Sequence, residues 1–472
     1  MQSPQTYNYL VNDNQNFRVY PQRLWVLFIF AFLAFNQTMF WLTFSPIASS
    51  TEKFYNISEA TVDLLLNCGP IIFLPTLPVV YLLLNTHHGL RKCVLIFAIV
   101  PVIATLLRLF PLIITSSTNR NFHNIALPFL FIGQILIATT GPISMALVSQ
   151  LSCIWFAPYE RTRATTFAIL GAILGGAAAF VIEPRLVMKA EHVPRLLYIH
   201  TGQALLACIL TLVYFPAEPP TPPSVAAQIL NANRLIRTQL IERLKRFALD
   251  IFHCCRNISC VLMILSGAAM GGTFAAWSGL FATILTPLGY TEIEAGWFGF
   301  GQTVASIIGS LIMGYIADLP RFQRSFKLLI LISLSFCFIF CLLFQLSVRT
   351  IMWPNKPILP SSSASIGILL SITGFFNGAA SPLFYESLAE IMHPLPESLT
   401  TSMLVYFFNV VTLSFLAMAP NRYKLMNLLV LLIIGICILM VACSRITYKR
   451  KDEELRKKQE QEYENTPDVS DI

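Results

Sequence analysis

Two carboxylates four residues apart suggest a proton-binding site in this sequence. Glu386 and Glu390 close an apolar run, and a spacing of four places them on one face of a helix. Mutual repulsion and partial burial favour the uptake of a proton by at least one of them. The alternative is structural, because the same carboxylates can pair with Arg161 or Arg163 of another charged segment.

Aromatic and amide side chains within apolar runs suggest a binding site for a small solute. Gln37 precedes Trp41 by one helical turn, Trp277 has a similar place in the second half of the chain, and Tyr385 is a further aromatic candidate. Indole faces stack on flat rings and attract cations. Each tryptophan is alternatively an anchor at the interface between lipid and water.

Further polar residues stand near the middle of apolar runs, where they are costly unless they face protein or water. Gln134 and Asn409 are candidates for fixing substrate hydroxyls, with hydrogen bonds between helices as the alternative. Arg108 is expected either to neutralise a buried acid, Asp63 or Glu183, or to extend its side chain to the outer interface.

The elements that must position these residues are membrane-spanning helices. The 472 residues are 55% hydrophobic and only 12% charged, whereas about a quarter of the residues in soluble domains are charged. Apolar runs of about 20 residues, the length that crosses a hydrocarbon core, recur along the chain. We predict an all-α membrane protein with twelve transmembrane helices in two six-helix, pseudo-symmetric bundles. The predicted spans are 25–49, 62–84, 93–114, 125–150, 164–184, 196–215, 258–285, 295–317, 327–347, 364–388, 399–419 and 424–444.

Charge and proline content divide the chain further. A proline-rich stretch from Pro216 to Pro223 opens a basic linker between the sixth and seventh spans. The predicted domains are an amino-terminal tail (1–24), a six-helix bundle (25–215), the linker (216–257), a second six-helix bundle (258–444) and a charged tail (445–472).

The distribution of basic residues predicts the orientation. With the amino terminus inside, 22 Lys and Arg residues fall in inner segments and nine in outer loops, which agrees with the positive-inside rule. Both termini and the linker are therefore expected in the cytosol. Asn56, in an Asn-x-Ser motif of the first outer loop, is then a candidate glycosylation site.

Two inner loops echo each other and are predicted to gate helix movement. Gly89 and Arg91 follow the second span, and Asp318 and Arg321 follow the eighth; the first copy has Asn85 at the helix end and not an acid. The alternative is that both are ordinary positively charged inner loops. Close packing between helices is predicted at four glycines, which are Gly171, Gly175, Gly309 and Gly314.

Other classes of protein lack support in the sequence. It contains no Walker loop, His-Glu-x-x-His or Gly-x-Ser-x-Gly motif, so an enzyme is not predicted. The eleven cysteines show no CxxC spacing, and neither a metal nor a cofactor is expected. The net charge is +8, but the basic residues flank the apolar runs and do not form one patch, which argues against binding of nucleic acid. A channel would need charged rings, whereas a non-transporting receptor stays possible.

Several motifs carry a resemblance to a known family. They are Phe40-Trp41 with Ser45-Pro46-Ile47, Cys68-Gly69-Pro70-Ile71, Trp155-Phe156 with Glu160-Arg161, Tyr214-Phe215-Pro216 leading to Pro222-Pro223-Ser224-Val225, Phe274-Ala275-Ala276-Trp277-Ser278-Gly279, Ile284-Leu285-Thr286-Pro287, and Ala295-Gly296-Trp297. Together they resemble solute carrier family 49 of the major facilitator superfamily, and its disrupted-in-renal-carcinoma branch more than its viral-receptor branch. Arg108 matches a family arginine, and Asn409 falls where the viral-receptor branch places a cavity glutamine.

The resemblance implies a secondary transporter whose spans one, four, seven and ten line the cavity. It implies symport of a small organic solute with protons across the lysosomal membrane, with pyridoxine (vitamin B6) as the solute linked to this branch. A choline-like amine and the plasma membrane are the alternatives. The branch often carries an acidic dileucine signal, which is missing here, so the segment from Tyr7 to Leu10 is a candidate sorting signal. The expected partners are the solute, protons and the lipid bilayer.

Overall fold

The structure is a computed structural model that describes residues 18–84, 86, 88–115, 122–157, 160–223, 252–319, 321–322, 324–348, 357–359, 361–392, 397–418 and 423–448. Helices and short turns make up these residues, and no strand occurs among them. The helices are α1 (Gln22–Leu42), α2 (Ala48–Tyr55), α3 (Glu59–Leu84), α4 (Gly89–Ile114), α5 (Phe122–Trp155), α6 (Arg161–Leu186), α7 (Val193–Val213), α8 (Ile258–Gly279), α9 (Phe281–Leu285), α10 (Glu292–Asp318), α11 (Phe326–Ser347), α12 (Ser363–Met392), α13 (Glu397–Ala417) and α14 (Tyr423–Cys443).

The long helices account for the apolar runs of the sequence. Within the described residues, eleven helices are long and apolar enough to cross a membrane, and α13 contains a shorter apolar stretch, Met403–Ala417. An α-helix satisfies its own backbone hydrogen bonds, which is what a lipid environment requires of a spanning segment. The prediction of a twelve-span, all-α membrane protein is therefore confirmed.

The seventh predicted span, 258–285, is broken in the structure. α8 ends at Gly279, and α9 begins at Phe281 after Leu280, which has φ −99° and ψ 9°. The Gly279 carbonyl accepts a hydrogen bond from the Ser45 hydroxyl, and Gly279 also packs against Leu66. Because glycine is a weak helix former and this carbonyl is bound from outside the helix, the helix ends here.

The chain forms two compact units. The N-terminal unit comprises Met1–Thr238, Ser278–Phe300 and Leu413–Tyr423, and the C-terminal unit comprises Gln239–Trp277, Gly301–Thr412 and Lys424–Ile472. The segment 278–300 belongs to the N-terminal unit, where Ser45 binds the Gly279 carbonyl. The predicted domain boundaries stay a prediction, because most of the linker lies outside the described residues.

Glycines allow close approach of helices within each unit. A Cβ at Gly171 or Gly175 on α6 would collide with the backbone of α1, and one at Gly309 on α10 would collide with the Phe375 backbone on α12. Close packing is confirmed at these three positions. At Gly314, no atom of the described residues lies within 4 Å of an added Cβ, so the predicted close packing is not found there.

A carboxylate caps the short helix α2 in the N-terminal unit. Glu292 Oε1 accepts hydrogen bonds from the backbone N–H groups of Ser49 (2.7 Å) and Ser50 (3.3 Å), and Glu292 Oε2 accepts one from the Ser50 hydroxyl (3.0 Å). The first N–H groups of a helix have no partner within the helix and favour negative charge. Glu292 therefore ties the first turn of α10 to α2.

Candidate functional site

Trp41 lies in the last turn of α1 and is partly accessible. Its Nε1 donates a hydrogen bond to the Leu66 carbonyl on α3 (3.0 Å). The indole also occupies the space beside Gly69, where an added Cβ would collide with it. The hydrogen bond to Leu66 and the space beside Gly69 together fix the orientation of the ring, while part of its surface stays accessible.

Gln37 lies one turn before Trp41 and is largely buried at 8% exposure. Its Nε2 lies beside Gly141 on α5, 3.3 Å from the position that an added Cβ would take. Its Oε1 accepts a long hydrogen bond from the Thr38 hydroxyl (3.4 Å). The amide nitrogen thus points toward α5, so Gln37 and Trp41 place a polar and an aromatic group where α1, α3 and α5 meet.

Gln134 on α5 contacts the backbone of the same turn of α1. Its Nε2 donates to the Trp41 carbonyl (2.9 Å), and its Oε1 accepts a hydrogen bond from Arg108 Nη2. Gln134 is 1% exposed, so in this conformation its amide positions α1. The predicted contact with a substrate hydroxyl stays a prediction.

Arg108 on α4 is buried at 1% exposure, which rules out the expected extension to the outer interface. Its guanidinium donates to the Phe40 carbonyl (3.3 and 3.4 Å) and to the Thr43 hydroxyl (3.2 Å), and lies 5.2 Å from the centre of the Phe44 ring. Glu183 is the acid that interacts with it electrostatically. Of the two acids that the sequence offered, Glu183 is thus the one within electrostatic range of Arg108, and its neutralisation of Arg108 stays a prediction.

Asp63 lies elsewhere in the N-terminal unit. It is 2% exposed near the start of α3 and forms a side-chain hydrogen bond with Thr283. The acids Glu52 and Glu59 lie within electrostatic range of it. In α2, partial burial raises the pKa of Glu52, and the nearby charges of Glu59 and Glu292 raise it further. This end of the unit therefore concentrates negative charge.

A buried pair of ionisable side chains was not predicted from the sequence. His200 on α7 and Glu183 on α6 are both 0% exposed, and His200 Nε2 lies 3.5 Å from Glu183 Oε1. His200 Nδ1 is 3.3 Å from the Thr43 hydroxyl, and its ring packs at 4.9 Å from that of Phe40. The available signal was one histidine in the middle of an apolar run, combined with the acid Glu183 within another apolar run.

Two of the three predicted aromatic and amide residues of the C-terminal unit, Trp277 and Asn409, form hydrogen bonds within that unit. Trp277 is 0% exposed, donates from Nε1 to Asn427 Oδ1 (2.9 Å) and packs edge-on to Phe344 at 5.4 Å between ring centres. Asn409 donates to the Val405 carbonyl one turn earlier (2.9 Å), and Tyr385 is 38% exposed. Solute contacts at these residues stay predictions.

The two carboxylates of α12 differ in their surroundings. Glu386 is exposed, whereas Glu390 is 0% exposed and lies within electrostatic range of Tyr448. The Tyr448 hydroxyl in turn accepts a hydrogen bond from the Phe326 backbone at the start of α11 (3.1 Å). Glu390 therefore belongs to the contacts at the end of α12, and the proton-coupling roles of both acids stay predictions.

The predicted loop residues follow the ends of α3 and α10. Gly89 is buried, and an added Cβ would collide with the carbonyl oxygens at the end of α3, so the turn requires glycine. Arg91 is exposed, as is Arg321, whose guanidinium lies 6.0 Å from the Phe322 ring centre. Asp318 ends α10, but its side chain lies outside the described residues, as do Asn85, the side chains of Arg161 and Arg163, and the segment from Tyr7 to Leu10.

Asn56 is exposed at the end of α2, with φ 52°.

Solved structures share this fold. A crystal structure of a D-xylose–proton symporter matches with a TM-score of 0.63 over 91% of this chain and 99% of its own, at 14% identity. A bacterial homologue of the human lysosomal transporter Spinster, in an inward-facing and occupied conformation, matches with a TM-score of 0.59 over 90% of this chain and 97% of its own, at 13% identity. At these identities the likeness shows the fold alone.

Sequence relatives show the family. The profile of the Major Facilitator Superfamily matches residues 26–418. The solute carrier family 49 member 4 homolog of Xenopus tropicalis is 30% identical over 92% of this chain and 93% of its own length. The choline/ethanolamine transporter FLVCR1 of Mus terricolor is 28% identical over 81% of this chain and 67% of its own. The resemblance inferred from the motifs is thereby confirmed, and the chain belongs to the major facilitator superfamily, within solute carrier family 49.

Proposed function

We propose that this transporter moves a small organic solute resembling pyridoxine by alternating access and couples that movement to protons. The observation that carries the proposal is the partly accessible indole of Trp41, held by the Leu66 carbonyl, with Gln37 one turn away. A flat ring can stack on the indole, and an amide can bind a hydroxyl group on the same solute. The site thus suits a small aromatic molecule that carries polar substituents.

A choline-like amine is the second candidate solute. The relatives named choline/ethanolamine transporters support it, and the face of an indole attracts a quaternary ammonium group as well as a ring. Competition separates the two candidates: excess unlabelled pyridoxine should block uptake of labelled pyridoxine, and excess choline should not. Inhibition by choline alone, together with choline uptake, would assign the site to the amine.

Counterflow tests transport itself. Proteoliposomes preloaded with unlabelled pyridoxine should take up labelled pyridoxine transiently above the outside concentration, because a carrier exchanges its solute faster than the gradient decays. A non-transporting receptor would bind pyridoxine without this overshoot, and a channel would show uptake that does not saturate.

For location and orientation we propose the lysosomal membrane, with both termini and the linker in the cytosol. The count of 22 inner against nine outer basic residues supports the orientation. Tags at the amino terminus, in the 224–251 stretch of the linker and at the carboxyl terminus should all be accessible from the cytosol in selectively permeabilised cells. A linker tag that is protected while the terminal tags react would contradict the topology.

A further inference from the structure

The hydrogen bonds around Thr43 determine which ring nitrogen of His200 carries hydrogen. The Thr43 hydroxyl is 2.7 Å from the Phe40 carbonyl, which only accepts, so the single hydroxyl hydrogen points there. The same oxygen is approached by Arg108 Nη1 (3.2 Å) and by His200 Nδ1 (3.3 Å). Because the hydroxyl has already donated, it accepts from both, and Nδ1 carries a hydrogen.

This arrangement leaves an unfilled position between His200 and Glu183. A neutral imidazole with hydrogen on Nδ1 has a bare lone pair on Nε2. That lone pair faces Glu183 Oε1 at 3.5 Å, and neither Glu183 oxygen nor Nε2 has a hydrogen-bond donor among the described residues. Two acceptors at this distance repel unless a proton lies between them, and the gap is too short to hold a water molecule.

Among the described residues, Arg108 is the fixed charge that acts on both members of the pair. Arg108 on α4 interacts electrostatically with both Glu183 and His200, and Tyr55 on α2 and Cys68 on α3 lie near Arg108 in turn. With Glu183 ionised and His200 neutral, the acid balances Arg108; one added proton leaves the buried group with a net positive charge. Proton occupancy therefore changes the force on the Arg108 side chain.

We infer that Glu183 and His200 share one exchangeable proton and form the proton-binding site of this transporter, an inference that rests on the proposed proton coupling. Arg108 links this site to the solute site, because it is hydrogen-bonded to Gln134, which in turn holds the Trp41 carbonyl. Binding forms an N–H or O–H bond with a proton taken from water, and release returns it to water. Each exchange alters the pull of Glu183 on Arg108 and hence the position of the α1 turn that carries Trp41.

A solute-free double-mutant cycle tests the shared proton in the purified full-length protein. In Glu183→Gln and in His200→Gln, an amide N–H replaces the shared proton, so each variant should lose the same part of the pH dependence of Tm. A single bound proton contributes a roughly tenfold change in the unfolding equilibrium per pH unit where it titrates. The double variant should lose no more than either single variant, because only one proton is involved.

Control and transport measurements separate the possible failures. Asp63→Asn, which removes another buried acid of the same unit, should add its effect independently to that of Glu183→Gln. Additive losses for Glu183 and His200, or a pH dependence unchanged in both single variants, would overturn the shared proton. With labelled pyridoxine in proteoliposomes, Glu183→Gln should lose accumulation driven by a pH gradient, whereas Asp63→Asn should keep it. If the wild type accumulates nothing under a gradient, the proposed function fails, whereas the Tm cycle still tests the pair.

Discussion

Replacement of Trp41 by alanine is expected to weaken solute binding about five- to thirtyfold. A desolvated contact between an aromatic face and a cation or ring is worth about 1–2 kcal/mol, and the accessible part of the indole is what the solute would lose. Trp41→Phe should recover part of the affinity, because it keeps a ring but loses the 3.0 Å bond from Nε1 to the Leu66 carbonyl.

The assay is the concentration of unlabelled pyridoxine that halves labelled uptake in proteoliposomes, normalised to the amount of folded protein. Trp25 offers a matched control, since it lies on the same helix and its Nε1 also donates to a backbone carbonyl, that of Tyr214, at 3.0 Å. Trp25→Ala should leave the apparent affinity unchanged. If Trp41→Ala lowers protein yield but not affinity, the residue is a packing element or interface anchor and the solute site lies elsewhere.

Three further predictions concern the scaffold. Gly175→Val should abolish the yield of folded protein because its Cβ would collide with the α1 backbone. Gly202→Ala should be tolerated in the same expression assay, because no atom of the described residues lies within 4 Å of an added Cβ there. Glu292→Ala should lower stability by about 0.5–2 kcal/mol, the usual range for a lost helix cap; an unchanged Tm would mean that the cap does not contribute. Because the pKa of Glu52 is raised in the folded protein, its stabilising contribution is full below the ordinary pKa of 4.5 and is lost as pH rises through the higher folded-state pKa. Glu52→Gln should therefore flatten the dependence of Tm on pH above about pH 4.5. A pH dependence identical to that of the wild type would refute this.

Hydrophobic run length was sufficient to predict the twelve helices, because the thickness of the bilayer fixes how long a spanning segment must be. The same method missed the break at Leu280, which depends on the Ser45 hydroxyl binding the Gly279 carbonyl from a distant part of the chain. Likewise, run length gave no way to tell Gly309, which lies against the Phe375 backbone, from Gly314, where an added Cβ would meet no atom of the described residues within 4 Å. Such differences depend on the neighbouring helix, and a local pattern does not identify that neighbour.

The candidate site was predictable to a similar extent. Residue type alone singled out Trp41, Gln37 and Arg108, because polar and indole groups are conspicuous in apolar runs. The contacts of His200 were not predictable, since its hydrogen-bond partner Thr43 is 157 residues away in sequence. Inference from spacing succeeds within one helix and fails where two helices bring distant residues together.

Uptake of labelled pyridoxine into proteoliposomes under an imposed pH gradient, with membrane voltage clamped, tests proton-coupled transport most directly. With an acidic exterior and a neutral interior, the wild-type protein should accumulate pyridoxine inside above the outside concentration, and a protonophore should abolish that accumulation. Uptake that only equilibrates, and that is the same with and without the gradient, would contradict proton coupling.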